Sequence, residues 1–296
     1  EVNYSTITPD GYFLASASKD GVPMLRHGET GDWYGSFQGH KGAVWSCVLN
    51  EPALLCATGS ADFTARVWDA CTGTQLHEFS HPHIVRSTNF SHKSNKLATG
   101  CHDKTIRLYD LGAPDAAPET LPPVEAAVRS MAWLQDDNIL VCVSNDKTGI
   151  NVFDMRTKTL AQTIPTAAPV TSIDVTFDQQ YMTTAEGRTV RVFDTKTMKM
   201  IKEFSLEHNA EAASFCPSKK KLVAGGEDMW IHLYDYVSGS EIEVNKGHHG
   251  PVHTLRFSPT YDSYASGSED GTIRIWYLDP EGAPADADGA TNGTPA

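Results

Sequence analysis

Short apolar runs recur along the whole chain, each broken by a cluster of Gly, Asp, Asn, Ser or Thr. The stretch from Gly39-His40 to Trp68-Asp69 shows the order most fully. A Gly-His pair leads into an apolar segment around Val44, Trp45 and Val48. Ala57-Thr58-Gly59-Ser60-Ala61-Asp62 then reads as a strand ending in a turn, and Ala65-Arg66-Val67-Trp68-Asp69 closes the unit. Runs rich in β-branched and aromatic residues, bounded by turn formers, predict antiparallel strands and hairpins. No long stretch sustains an apolar period of 3.6, so almost no helix is expected.

The Asp that ends the second strand of each unit serves as a ruler. It falls at Asp20, Asp62, Asp103, Asp146, then Gly187 in its place, then Asp228 and Asp270, at intervals of 42, 41, 43, 41, 41 and 42. Six residues later stand Trp68-Asp69, Tyr109-Asp110, Phe193-Asp194, Tyr234-Asp235 and Trp276-Tyr277. The first unit has Arg26-His27 there; the fourth reaches Phe153-Asp154 one residue late, and Gly149 predicts a bulge. Several short strands per unit, a period near 40 and a Trp-Asp ending are the signature of a WD40 β-propeller. The expectation is an all-β, seven-bladed WD40 propeller over residues 1–278. A Gly-His pair placed as far before Asp20 as His40 lies before Asp62 would precede residue 1. The N-terminus therefore reads as truncated, and the first or last blade as incomplete with an open strand edge. Residues 279–296 are small and acidic without apolar payload, and read as a disordered tail.

Charge narrows the function. With 24 basic and 37 acidic residues the net charge is −13, which opposes bulk phosphate binding; DNA is excluded as a partner, and RNA contact is expected only indirectly. No apolar run is long enough to span a membrane. The six cysteines lie far apart without a CxxC pair, and Cys47, Cys56, Cys101 and Cys142 fall in strand-like runs, so reduced thiols in an intracellular protein are expected.

Two units carry a complete polar set: His40, Ser60, Asp62 and Trp68, and His248, Ser268, Asp270 and Trp276. Ser, His and Asp together suggest nucleophilic catalysis. Their repetition favours a structural tie instead, in which the indole N–H, hydroxyl, imidazole and carboxylate join strands of one blade and satisfy buried polar groups. The expectation is a non-enzyme with no catalytic residues, no cofactor and no metal, since His81-Pro82-His83 and His248-His249 lack further ligands at suitable spacing. Two sets of positions should share one face of the ring. The residue before each ruler position gives Lys19, Ala61, His102, Asn145, Glu186, Glu227 and Glu269; the residue after each apolar landmark gives Trp45, Arg86, Arg129, Thr171, Glu211 and His253. Arg86, His102 and Arg129 would make one side basic, with Trp45 nearby, and Glu186, Glu211, Glu227 and Glu269 the other acidic. An aromatic and arginines are the residue types that anchor protein interfaces, so this is the candidate partner-binding face.

Particular stretches resemble the serine/threonine kinase receptor-associated protein family of WD40 repeat proteins. They include Gly11-Tyr12-Phe13-Leu14, Lys19-Asp20-Gly21, Thr30-Gly31-Asp32-Trp33, Gly39-His40-Lys41-Gly42-Ala43-Val44-Trp45, Ala61-Asp62-Phe63-Thr64-Ala65 and Val223-Ala224-Gly225-Gly226-Glu227-Asp228. The resemblance implies a scaffold in the cytoplasm and nucleus with protein partners: ribonucleoprotein-assembly components of the survival-of-motor-neuron complex, and receptor kinases. The alternative is a propeller similar to the i subunit of translation initiation factor 3.

Overall fold

A computed structural model describes residues 2–144 and 149–278. Asn145, Asp146 and the expected tail, 279–296, lie outside the described residues. Among those described, the chain is almost entirely β-strand and turn, and the strands follow one another as antiparallel neighbours in the order of the sequence. Four sheets of four strands open at Val2–Ile7, Val44–Leu49, Val85–Phe90 and Val128–Leu134; a six-stranded sheet opens at Ser172–Val175 and a three-stranded one at Val252–Phe257. The chain is an all-β propeller.

Six sheets form where the spacing predicts seven, because Lys199–Cys216 runs unbroken from the fifth unit into the sixth; within the fifth unit, a second fusion lies at Gly187. In the second unit Asp62 Oδ1 accepts from the Thr64 N–H at 3.0 Å, and Phe63 takes a positive φ of 70°. That side-chain bond breaks the strand and forces a turn. Gly187 has no carboxylate to do this, so Tyr181–Asp194 runs on as one strand. Its first part pairs with Ser172–Val175 and its second with Lys199–Cys216, a strand that itself continues onto Lys221–Gly226. The fifth and sixth repeat units thus share one sheet. The bulge expected from Gly149 is also absent from the strand pairing: Ile139–Ser144 meets Ile150–Asp154 without a shift, and Gly149, at φ 95°, stands just before the strand. The last sheet has three strands, with the outer edge at Ile273–Tyr277.

The core lies between successive sheets rather than within them. One cluster joins Val48, Ala57, Val67 and Phe79 of the second unit to Val85, Phe90, Leu97 and Tyr109 of the third. Another joins Ile7 and Leu14 to Ala265 and Ile273, so the last unit packs on the first. Burying each Val, Leu or Phe contributes about 1.5–3 kcal/mol. Side-chain hydrogen bonds link the innermost strands in the same order: Asn3 to the Val44 carbonyl (2.8 Å), Ser46 with Thr88 (2.9 Å), Asn89 to the Met131 carbonyl (3.1 Å), and Arg129 to the Thr171 carbonyl (3.0 Å). Ser214 then bonds Asp174, Glu211 bonds His253, and Ser5 bonds Thr254 at 3.1 Å.

Close packing at the inner strands needs a missing side chain. A Cβ on Gly100 would stand 2.4 Å from a methyl of Val128, and one on Gly267 would stand 2.8 Å from a methyl of Val2. Gly59 and Gly225 meet Val85 and Val252 in the same way. Gly100→Ala should therefore lower unfolding stability by about 1–3 kcal/mol through overpacking. Gly35→Ala, with nothing within 4 Å of its new Cβ, should be near neutral. Equal denaturation midpoints for the two variants would rule out this packing account.

Candidate functional site

Two histidine ties are built, and their hydroxyls are not the predicted ones. In the second unit the Trp68 indole donates to Thr58 Oγ1 at 2.8 Å, Thr58 lies 2.7 Å from His40 Nε2, and His40 Nδ1 lies 2.8 Å from Asp62 Oδ2. In the last unit the chain runs Trp276, Ser266 (2.8 Å), His248 (2.7 Å) and Asp270 (3.0 Å). Ser60 and Ser268 instead donate to backbone carbonyls, Ser60 to Gly42 and Ala43 and Ser268 to Gly250. Both stand two residues along the strand, on the correct face but one pleat too near the turn. Ser266, His248 and Asp270 have the order of a hydrolase triad, yet Ser266 is 0% exposed and its oxygen already accepts the indole N–H. No substrate carbonyl can reach it.

Burial sets the charge of these groups. It lowers the pKa of His40 and of His248 despite the carboxylate beside each. Burial alone would raise Asp62, but hydrogen bonds from Thr64, the Lys41 N–H and His40 outweigh it and bring the carboxyl to about 2. The third unit differs. His81 bonds Thr99 at 2.9 Å and donates from Nδ1 to the Phe79 carbonyl, while Asp103 is held by Arg107 at 2.6 Å. Burial, with no carboxylate bonded to the ring and the pull of Asp103 set against the push of Arg107, drives the His81 pKa down to about 4.

The positions after the apolar landmarks converge. Trp45, Arg86, Arg129, Thr171, Glu211 and His253 all line one central cavity of about 150 Å³. The Arg86 guanidinium lies over the Trp45 ring, 4.1 Å from its centroid, a cation–π contact. Burial, with the charge of Arg129 next to it, lowers the Arg86 pKa; burial lowers that of Arg129, which Glu211 partly offsets. Glu211 is held by His253 at 2.7 Å. Among the described residues neither Arg86 nor Arg129 has a carboxylate at ion-pair distance, and the Trp45 indole N–H is buried without a hydrogen-bond partner. The cavity mouth is thus locally cationic in an acidic protein.

The second predicted set does not line this cavity, although its backbones bond the residues just before the landmarks, as Ala61 does Ala43 and His102 does Ile84. Lys19, His102, Glu227 and Glu269 are exposed and Ala61 is half-buried, but none of them lines the cavity. Asn145 is outside the described residues. Glu186 leaves the candidate face altogether: it is buried, accepts from the Thr184 hydroxyl at 3.0 Å and pairs with Arg191 at 2.9 Å. Lacking a histidine tie, the fifth unit turns this carboxylate inward onto its own arginine. Below the mouth, three residues missed by the sequence reading form a strut: Arg256 pairs with Asp174 and donates to the Tyr4 hydroxyl at 2.9 Å. The signal was present, since Asp174 and Arg256 hold the position four residues after the landmark, where other units have Val48, Asn89, Ala132 and Ser214.

Comparisons with known proteins give a consistent answer. A family model described as the first β-propeller of IFT122 matches residues 1–277. The chain is 45% identical over 276 residues to the serine-threonine kinase receptor-associated protein of Gallus gallus, covering 93% of this chain and 78% of that one. The protein of the same name from Dictyostelium discoideum is 39% identical, with 93% and 94% covered. Subunit I of eukaryotic translation initiation factor 3 from Drosophila grimshawi is more distant, at 27% over 302 residues.

Two outcomes follow from the ties. Asp62→Ala strands the His40 Nδ1–H and the Lys41 N–H and should cost roughly 2–3 kcal/mol in chemical denaturation; an unchanged midpoint would remove the tie as a stabilising element. His81 binds a proton in the unfolded chain near pH 6.5 but in the folded one only near 4. The unfolded state therefore holds more protons between these values, and stability falls as pH drops from 6.5 towards 4, by roughly 3 kcal/mol at most. His81→Gln should flatten that slope; the same slope in parent and variant would assign it to other groups.

Proposed function

The chain belongs to the serine-threonine kinase receptor-associated protein family of β-propellers, and from that premise we propose that it is a non-enzymatic scaffold whose central cavity mouth takes an acidic group of a protein partner. The observation that carries this reading is the Arg86–Trp45 stack beside Arg129, with no carboxylate among the described residues at ion-pair distance from either arginine. Holding two like charges together in a partly buried site costs stability, and an incoming carboxylate offsets that cost with charge-assisted hydrogen bonds. Trp45 adds a rigid aromatic wall and an unsatisfied N–H, the features of an interface anchor.

The finer assignments rest on the family. We propose association with ribonucleoprotein-assembly components and with receptor kinases, in the cytoplasm and nucleus, by analogy with relatives whose name is receptor-associated protein. A subunit like that of initiation factor 3 is the second reading, at lower identity. We also infer seven repeat units around the channel. Support comes from the inner-strand hydrogen bonds, which step by 41 or 42 residues from Asn3–Val44 to Arg129–Thr171; the six-stranded sheet would then be two blades joined edge to edge.

Affinity purification of the parent and of the triple variant Trp45→Ala, Arg86→Ala, Arg129→Ala tests the reading. The parent should bring down ribonucleoprotein-assembly proteins, and the variant should lose them while still melting cooperatively, its midpoint lowered only by loss of the Arg129–Thr171 bond. Recovery of initiation-factor subunits instead would favour the second reading. An identical partner set from parent and variant would sink the mouth as the binding site.

A further inference from the structure

The sixth unit carries a different cluster, none of whose residues lines the central cavity. His208 projects from Lys199–Cys216, Asp228 follows Lys221–Gly226, and His232 lies in Trp230–Asp235, three strands side by side in the six-stranded sheet. His232 Nε2 stands 2.6 Å from Asp228 Oδ2, and His208 Nε2 stands 4.0 Å from the same oxygen. The three donor atoms all lie within 4.8 Å of one another. On the far side of His232, Nδ1 lies 2.7 Å from Glu241 Oε2. Such a carboxylate fixes the Nδ1–H tautomer and leaves the Nε2 lone pair directed at a metal.

This cluster is no variant of the histidine tie. The place corresponding to Thr58 and Ser266 is held by Ala224, so no hydroxyl links an imidazole to an aromatic N–H, and the place corresponding to His40 and His248 is Leu206. What stands there is a small cavity of about 10 Å³, bordered by His208, Asp228, His232, Leu206 and Tyr234. That is about the size of one bound atom or water.

We propose that His208, Asp228 and His232 form a zinc site, with water as the fourth ligand. Tetrahedral zinc with bonds of about 2.0–2.1 Å needs ligand atoms about 3.3 Å apart. Asp228 and His232 would separate and His208 would approach Asp228, each by under about 1 Å, while His208 would close on His232 by up to about 1.5 Å. His208 is the ligand able to do so, since its side chain is 46% exposed. Two imidazoles and one carboxylate suit Zn²⁺ and disfavour Mg²⁺ and Ca²⁺, which take oxygen ligands. The bound ion would pin the exposed start of one strand segment to the turn beside it and to the strand beyond.

Calorimetric titration of the metal-free protein with Zn²⁺, alongside Co²⁺ absorption, tests the site. One equivalent should bind, and Co²⁺ should give a tetrahedral nitrogen–oxygen d–d band. His208→Gln should weaken Zn²⁺ binding at least about tenfold while leaving the metal-free melting temperature unchanged, and Glu241→Gln should weaken it about tenfold. His232 is buried, and a variant there tests folding as well as binding, so His208→Gln decides. Absence of binding would leave His232 simply hydrogen-bonded between Asp228 and Glu241 and overturn the proposal. Zn²⁺ affinity unchanged in His208→Gln would do the same by placing the ion elsewhere.

Discussion

A circular stack of sheets buries its inner faces only if the last unit meets the first, and here that contact spans most of the chain. Ser5 bonds Thr254, Val2 fills the space above Gly267, and Ile7 with Leu14 packs on Ala265 and Ile273. Every other seam joins neighbours in sequence and can form locally; this one closes a loop of 249 residues, whose ordering entropy grows only slowly with length. The channel, its mouth and its strut exist because that seam holds. Arg256 makes this plain, since it reaches Asp174 on one side and Tyr4 on the other only when both ends of the ring are in place.

Within the ring, polar groups divide the work by depth. Histidines buried in the ties are kept from charging by desolvation and spend their hydrogen bonds on strands of their own sheet. The arginines of the mouth are desolvated too, and among the described residues no carboxylate lies at ion-pair distance from them, Glu211 offsetting only part of the burial of Arg129. A tie that is fully satisfied stabilises and offers nothing to a partner. A cation left unanswered is a standing cost that binding can relieve.

Much of this was legible in the sequence. The ruler positions mark turns because an Asp carboxylate caps the N–H two residues on, and the residue after each landmark points into the channel because the inner strands share one register. What stayed hidden depends on packing. Ser60 and Thr58 lie on the same face of one strand, and only the height of the Trp68 ring selects Thr58. Glu186 looked exposed because it precedes a turn position, yet Gly187 makes no turn and Arg191 draws the carboxylate in. His208 and His232 are separated by more than half a repeat, so no local spacing joins them until the sheet sets their strands side by side.

The long strand Lys199–Cys216 bears on the history of the molecule. Repeat arrays gain and lose whole units most readily where a loop separates one from the next. Between the fifth and sixth units that junction is continuous strand, hydrogen-bonded on both sides through Ala210 to Gly187 and Gly226. Duplication or deletion here would sever a paired ladder instead of a surface turn. Removing either unit alone would therefore expose an unpaired strand ladder on the other, a cost that the second and third units, each with its own sheet, do not carry.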